Sequence, residues 1–229
     1  GDAGDGGVTP VIAGAIDFGP GFIAVLAAVG LLALVVCFLI GSISPATLLA
    51  SLFGKDVRGS GSGNPGATNA GRILGVKWGV LVGVLDVLKG FVPCWFLAGF
   101  MGVTASAVCG LAVVLGHMFS PLLKWRGGKG VATTLGVLLA VAPWIALIAL
   151  VVFGLGLATL KRVGEASVVT CLVLVVVGVL QGLGVVHLAR WGAIGVGWVV
   201  VILALLVLAR HKRNILIGLE RRRRAVHRH

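Results

Sequence analysis

Six long apolar runs constrain this chain more than any other feature of its sequence. A hydrocarbon core about 30 Å thick needs about 20 apolar residues for each helix that crosses it. A soluble domain is typically about 45–50% apolar and about 25% charged, whereas this chain of 229 residues is 59% apolar and 11% charged. The runs lack the period-two alternation of a membrane barrel, so they predict an all-α polytopic membrane protein and exclude a soluble enzyme. They cover residues 22–52, 76–100, 103–123, 130–160, 166–186 and 191–209.

The distribution of basic residues predicts the orientation of these helices. Seventeen of the 19 Lys and Arg residues lie in four stretches, at 51–77, 124–129, 161–162 and from 210 onward. The positive-inside rule places such stretches in the cytoplasm, which puts the N-terminus outside, the C-terminus inside, and requires an odd number of crossings. The net charge of +12 is therefore interpreted as a topology signal, and we expect no nucleic-acid partner.

Basic residues flank both ends of the run at 130–160, so this run must leave one side of the membrane and return to it. We expect it to split near Pro143 into two helices of about 14 residues, about 21 Å at 1.5 Å per residue, each too short to span fully. This short pair brings the total to seven membrane helices, whereas a six-crossing alternative would export the basic C-terminal tail. The expected organisation is an extracytoplasmic tail at 1–20, a single seven-helix domain at 21–210 and a cytoplasmic tail at 211–229.

Two further patterns concern lipid and cysteine chemistry. The arginine run at 221–224 is expected to contact anionic lipid headgroups. The cysteines lie singly within apolar runs and form no CxxC pair, which predicts small buried side chains and neither a disulfide nor a metal site. They are Cys37, Cys94, Cys109 and Cys171.

The longest polar stretch, at 54–72, reads GKDVRGSGSGNPGATNAGR. Glycines without a Cβ leave backbone N–H groups accessible, and concave arrangements of such groups bind anions. Arg58 and Arg72 can add bidentate contacts to a phosphate, while Asn64, Thr68 and Asn69 can fix the loop or a substrate hydroxyl. A flexible linker is the alternative, but it would not need Arg, Asn and Thr between its glycines.

A second polar stretch, at 116–133, contains GHMFSP and then KWRGGKGVAT. Its Gly-rich turn enters a helix N-terminus, which favours anion binding, and Lys129 adds a point charge. Lys124 and Arg126 are either part of this site or simple topology anchors. His117, at a helix end, is either a structural hydrogen-bonded histidine or a site residue.

Several polar residues lie within or beside the apolar runs. Ser167 either caps the helix that follows the third basic stretch or donates to a phosphate. Asp86 and Lys89 share one helix face, and charges in hydrocarbon usually pair inside the protein, so we expect a structural or supporting role for them. Ser42 and Ser44 lie at a break in the first run, beside the Gly-rich loop.

These polar motifs resemble those of the bacterial acyl-phosphate:glycerol-3-phosphate acyltransferases, the PlsY family. The resemblance extends from about residue 41 to residue 220. The first motif corresponds to GSI at 41–43, DVR at 56–58 and GSGNPGATN at 61–69, the second to GH at 116–117 and GGKGVAT at 127–133, and the third to His211, Asn214, Ile215, Gly218 and Glu220.

The resemblance implies a reaction and a location. A fatty acyl group passes from a long-chain acyl phosphate to the sn-1 hydroxyl of glycerol-3-phosphate, giving lysophosphatidic acid and phosphate in the first acylation of phospholipid synthesis. It also implies seven membrane helices in the bacterial inner membrane, an active site on the cytoplasmic face, contact with membrane lipid, and no cofactor or metal. The oligomeric state is left open.

The resemblance also implies roles for individual residues. It implies catalytic roles for Ser42, Arg58, Lys129 and His211, with Glu220 orienting the tail. Two departures from the family pattern are Ser44, where a Pro is usual, and the third loop, where Arg162 and Gly164 replace an aromatic residue and a Ser ahead of Ser167. The substrate-binding residues implied are Gly61, Ser62, Gly63, Asn64, Gly66, Ala67, Thr68, Asn69, His117, Gly128, Ser167 and Asn214.

The sequence leaves the mechanism partly open. No Ser-His-Asp or Cys-His nucleophile set is found, which favours direct attack by the glycerol hydroxyl, with a substrate phosphate oxygen, His211 or His117 as the base. A transporter or channel for an organic phosphate is a second hypothesis, which predicts a polar pathway across the membrane, and many such folds contain inverted repeats. A basic membrane anchor is a third, but it does not explain the ordered GNPGATN sequence.

Overall fold

The computed structural model describes residues 19–212 and 214–216, and within these residues every regular element is helical. This confirms the predicted all-α class. The helices are α1 (Pro20–Ser42), α2 (Pro45–Leu52), α3 (Ala67–Leu74), α4 (Val76–Met101), α5 (Val103–Met118), α6 (Val131–Val141), α7 (Pro143–Leu160), α8 (Val163–Gly182) and α9 (Val196–Arg210), with 3-10 turns at Pro121–Leu123 and Arg190–Gly192.

Five segments of the described chain are long and apolar enough to cross a membrane: Pro20–Leu52, Val76–Met101, Val103–Leu123, Pro143–Leu160 and Val163–Gly182. Helices α6 and α9 are apolar but shorter. The protein is therefore a multi-pass membrane protein. The count of seven crossings and the orientation of the termini remain predictions.

The break near Pro143 is confirmed, but the prediction of two equally short halves is wrong. Helix α6 has 11 residues, whereas α7 has 18 residues and is one of the long segments. Pro143 occupies the first turn of α7 and Ala142 is its N-cap. Because a proline is well tolerated at that position, the apolar run continues unbroken to Leu160.

Two compact units divide the chain, Gly1–Leu32 and Ala33–His229. The described part of the first unit is the start of α1, where large apolar side chains such as Phe22 and Leu26 are exposed. The second unit contains the buried core, which includes Val137, Leu138 and Leu203. All four cysteines are buried and free, as predicted.

Glycines allow α4 and α6 to approach closely. A Cβ at Gly90 would overlap the backbone carbonyl oxygen of Thr133, and a Cβ at Gly136 would overlap that of Val87. Small residues at helix interfaces allow this kind of backbone contact in membrane proteins. The contact places the middle of α4, which carries Lys89, beside the start of α6, where the second Gly-rich loop ends.

We expect Gly136→Ala to destabilise the protein, because the methyl group cannot fit without separating α4 from α6. Overpacking of this kind typically costs about 1–3 kcal/mol. Gly99→Ala, in the same α4, is the matched control, since a Cβ there has no atom within 4 Å. Thermal unfolding in detergent micelles is the measurement, and equal melting temperatures for the two variants would contradict this packing.

Candidate active site

The break between α1 and α2 is where the sequence predicts it. Helix α1 ends at Ser42, and α2 begins at Pro45 with Ser44 as its N-cap, whose Oγ accepts the Thr47 N–H at 3.3 Å. Ser42 is buried and its Oγ donates to the Phe38 carbonyl at 2.8 Å. The Ser42 proton is therefore used in a hydrogen bond within α1, and the lone pairs of the Ser42 oxygen remain available to accept a hydrogen bond.

Side chains from other elements hold the backbone at this break. Ser120 Oγ donates to the Ser42 carbonyl at 2.7 Å, and Lys89 Nζ donates to the Ile43 carbonyl at 2.8 Å. Asp86 and Lys89 form the predicted pair, with 2.7 Å between Oδ1 and Nζ. The pair includes a third member, because Lys89 Nζ also lies 2.8 Å from His117 Nδ1.

Asn69 organises the first Gly-rich loop from inside. Its side chain is buried. Oδ1 accepts the Ser62 N–H at 2.8 Å, and Nδ2 donates to the carbonyls of Val57 at 2.7 Å and Ser60 at 3.1 Å. Gly61 packs against Oδ1 with φ of 62°, in the left-handed region that favours glycine. Of the two roles that the sequence leaves open for Asn69, these contacts favour fixing the loop.

One polar cavity joins the first and second loops. It encloses about 430 Å³ and is lined by Asp56, Arg58, Gly59, Gly63 and Arg126. Sequence reasoning left Arg126 as either an anchor or a site residue, and the structure places it with Arg58. In the sequence, the indication that Arg126 belongs to the site is its position directly before the two glycines of the second motif. Asp56 Oδ1 accepts the Arg58 N–H at 2.8 Å, which orders the backbone beneath the cavity.

The second loop is anchored by its own backbone and by Arg210. The Gly127 N–H donates to the Met118 carbonyl at 3.1 Å, and the Gly128 N–H donates to the His117 carbonyl at 3.0 Å. The Arg210 guanidinium donates to the Gly127 carbonyl at 2.8 Å and to that of Gly128 at 3.2 Å. These two N–H groups are therefore already paired, and the absence of a side chain at Gly128 leaves room for the His117 ring.

The second and third motifs meet at Lys129. Its Nζ donates to Asn214 Oδ1 at 2.7 Å, although 85 residues separate the two in sequence. Asn214 lies so close to Gly164 that a Cβ at Gly164 would overlap its Nδ2. The departure from the family pattern at Gly164 thus provides room for Asn214 beside the start of α8.

Ser167 lies one turn inside α8 and does not cap it. The N-cap is Arg162, and Ser167 Oγ donates to the Val163 carbonyl at 2.8 Å. The capping alternative is therefore wrong, because the helix begins five residues earlier than that role requires. Ser167 is 1% exposed and remains a candidate site residue through its oxygen lone pairs.

His211 is buried at the end of α9, with its Nδ1 2.8 Å from the Val207 carbonyl. Since a carbonyl accepts, Nδ1 carries the proton and Nε2 holds the lone pair of a neutral ring. Burial lowers the pKa of His211 and the charge of Lys129 lowers it further, while the hydrogen bond to Val207 opposes them. The net shift is downward, which favours the neutral ring.

Some predicted features lie outside the described residues, namely Gly218, Glu220 and the basic run at 221–224. Within the described ranges, no group of three or more His, Cys, Asp and Glu side chains is placed to hold a metal ion. The candidate site is therefore a set of cationic side chains and Gly-rich backbone around the broken helix.

Comparison with known proteins supports the same class. The family described as glycerol-3-phosphate acyltransferase matches residues 31–220. A glycerol-3-phosphate acyltransferase of Aquifex aeolicus (strain VF5) is 39% identical over 180 residues, which cover 78% of this chain and 89% of the relative. Glycerol-3-phosphate acyltransferase 2 of Bacillus anthracis is 45% identical over 138 residues, covering 60% and 73% respectively.

The fold is similar to that of a solved integral membrane acyltransferase. The crystal structure of PlsY (YgiH) in its glycerol 3-phosphate form aligns with a TM-score of 0.76 at 35% identity, over 85% of this chain and 94% of that one. The lysophosphatidic acid form aligns with a TM-score of 0.73 at 36% identity, over 85% and 93%. The fold and site thus define a multi-pass membrane acyltransferase. The chain belongs to the glycerol-3-phosphate acyltransferase family.

We expect Asn69→Ala to loosen the first Gly-rich loop, because it leaves the Ser62 N–H and the carbonyls of Val57 and Ser60 without partners. Each buried polar group left unpaired costs about 1–3 kcal/mol. Hydrogen exchange of the Ser62 amide should accelerate by about tenfold or more. Asn64→Ala is the control, since no side-chain hydrogen bond of Asn64 occurs among the described residues. Unchanged exchange in both variants would refute the role assigned to Asn69.

Proposed function

We propose that this protein transfers a fatty acyl group from acyl phosphate to the sn-1 hydroxyl of glycerol-3-phosphate, releasing lysophosphatidic acid and inorganic phosphate. The contact of Lys129 Nζ with Asn214 Oδ1 at 2.7 Å carries the proposal, since it brings the cation of the second motif to the third motif. Membership of the acyltransferase family supports it. The hypothesis of an organic-phosphate transporter finds no such support.

Two cationic groups suit the two phosphates of this reaction. Arg58 lines the cavity of about 430 Å³ with Arg126, and a planar guanidinium can bind a phosphate through two parallel hydrogen bonds. Lys129 supplies a second positive charge beside Asn214. Both groups oppose the negative charge that collects on the phosphates and on the leaving group.

An apolar groove suits the acyl chain of the donor. It encloses about 350 Å³, is open along one side, and begins one turn before Ser42, since Phe38 belongs to it and its carbonyl accepts the Ser42 hydroxyl. A long hydrocarbon chain there would remain in the apolar phase while its phosphate meets the polar loops. The groove is lined by Leu34, Val35, Phe38, Val108, Ala112 and Leu115.

The acyl group is transferred directly in this mechanism. The sn-1 oxygen of glycerol-3-phosphate attacks the acyl carbonyl carbon, and the tetrahedral intermediate collapses as the bond from carbon to the phosphate oxygen breaks. The electron pair leaves with the phosphate, which Lys129 and Arg58 stabilise. The hydroxyl proton passes to a substrate phosphate oxygen or to His211. No acyl-enzyme forms, because acyl phosphate is already activated.

Two histidines are candidates for the base, and they differ in which ring nitrogen can accept a proton. The Nδ1 of His211 donates to the Val207 carbonyl, so its Nε2 holds a lone pair that can accept a proton. The Nδ1 of His117 is engaged by Lys89. His211 is therefore the better candidate, and it lies close enough to Lys129 for that charge to lower its pKa.

The proposed setting is the inner membrane of a bacterium, with seven crossings, the N-terminus outside and the site on the cytoplasmic face. The basic stretches of the sequence support this orientation. Glycerol-3-phosphate would then reach the polar loops from water, while acyl phosphate would enter from the membrane along the groove.

The central test uses the purified protein in lipid with labelled glycerol-3-phosphate and palmitoyl phosphate. We expect lysophosphatidic acid and phosphate in equal amounts, and activity reduced by about 10²–10³-fold in Arg58→Ala and Lys129→Ala, as for other lost transition-state charge contacts. Lys77→Ala, an exposed lysine on α4, is the control. The absence of any acyl product would defeat the proposal, and normal turnover of both variants would defeat the residue assignment.

We expect the acid limb of the pH profile to report His211. Its pKa is lowered below 6.5 by burial and by Lys129, so the ring loses its proton at lower pH than an ordinary histidine. The kcat/KM, which reports groups of the free enzyme, should therefore rise with pH through a midpoint below 6.5 and level off above it. His211→Ala should lower the plateau and abolish this limb, whereas an unchanged limb in the variant would exclude His211 as the base.

A further inference from the structure

Lys89 connects three elements from within α4. Its ammonium group donates to the Ile43 carbonyl at 2.8 Å, lies 2.8 Å from His117 Nδ1, and contacts Asp86 Oδ1 at 2.7 Å. The contact with Asp86 is an ion pair. The side chains of Lys89 and Asp86 are only 9% and 3% exposed. Charged side chains buried in this way among apolar helices are costly and usually serve a function.

The contact with Lys89 fixes the tautomer of His117. An ammonium group has three donors and no lone pair, so a ring nitrogen 2.8 Å from it must accept. Nδ1 of His117 therefore carries the lone pair, and the proton of the neutral ring lies on Nε2. Asp86 Oδ1 is 3.5 Å from the same Nδ1, longer than an ordinary N–H···O hydrogen bond, so Lys89 is the closer partner of this nitrogen.

The Nε2–H group of His117 faces the second Gly-rich loop. A Cβ on Gly128 would overlap Nε2, so only a glycine leaves room for the ring at that position. The His117 side chain is 6% exposed, and among the described residues no acceptor pairs with its Nε2–H. This donor belongs to a residue that packs against Gly128, the neighbour of Lys129 in the second motif.

We propose that His117 donates its Nε2–H to an anionic phosphate oxygen of the substrate, and that Lys89 and Asp86 are positioning residues that enforce this tautomer. The inference rests on the proposed function and deepens it. It makes His117 a hydrogen-bond donor of the site and removes it from the candidate bases. The ammonium group of Lys89 thus links the broken helix, through Ile43, to the second loop, through His117.

The consequence of losing Lys89 follows from the same distances. Without the ammonium group, Nδ1 still faces the Asp86 carboxylate at 3.5 Å, which accepts but cannot donate. The ring proton then moves to Nδ1 to pair with the carboxylate, and Nε2 becomes an acceptor that repels a phosphate oxygen. The Ile43 carbonyl also loses its partner.

The tautomer can be measured without any activity. Protein labelled with ¹⁵N-histidine in lipid nanodiscs, with His117→Gln used to assign the signal, should show His117 with a protonated Nε2 and an unprotonated Nδ1. Lys89→Met should exchange these two signals, while the matched control Lys77→Met should leave them as in the wild type. A wild-type signal with the proton on Nδ1, or an unchanged pattern in Lys89→Met, would overturn the proposal.

A pair of substitutions at His117 separates a donor from a base. Glutamine offers an amide N–H near the place of Nε2 but cannot act as a base, whereas phenylalanine offers neither. We expect His117→Gln to retain activity within about tenfold of the wild type, and His117→Phe to lose about 100-fold or more in kcat, the typical loss for one transition-state donor. Equal large losses in the two variants, with unchanged melting temperatures, would contradict the donor role. Because wild-type turnover is measured in the same assay, failure of the proposed function is recognised separately.

Discussion

Two backbone carbonyls at the break in α1 determine how the site is assembled. A helix that stops between Ser42 and Pro45 frees carbonyl groups inside an apolar protein, where each unpaired group costs several kcal/mol. Ser120, in the segment after α5, and Lys89, in α4, supply the missing donors. Because Lys89 is charged, it in turn requires Asp86 and His117, so a local break in one helix brings together residues from three elements.

The loops around this break are held by long side chains that reach across the fold. Arg210, at the end of α9, binds the carbonyls of Gly127 and Gly128, and Lys129 binds Asn214. Glycine makes these approaches possible, since any side chain at Gly128 or Gly164 would collide with His117 or Asn214. The cations that we propose for substrate phosphates thus project from backbone that is already fixed, which limits the reorganisation needed during the reaction.

Local patterns in the sequence predicted the features that depend on nearby residues. The apolar runs, the breaks at Ser42 and Pro143, and the pairing of Asp86 with Lys89 three residues apart all follow from spacing and composition. The length of α7 was underestimated because a proline in the first turn interrupts neither the helix that it begins nor the apolar run.

Features that depend on distant contacts were beyond such reasoning. Lys89 meets Ile43 across 46 residues and Lys129 meets Asn214 across 85, and no local pattern specifies either pairing. For the same reason the shared cavity of Arg58 and Arg126 and the burial of Asn69 were not foreseen. The family resemblance named Arg58, Lys129 and Asn214, but it did not say which of them touch.

A structure of the protein with glycerol-3-phosphate and a non-transferable acyl phosphonate is the most direct test of the proposed site. We expect phosphate or phosphonate oxygens within about 3 Å of Lys129 Nζ, of the Arg58 guanidinium and of His117 Nε2, with the acyl chain in the groove beside Phe38. Both ligands bound away from these groups, or a polar passage crossing the membrane in place of the groove, would contradict it.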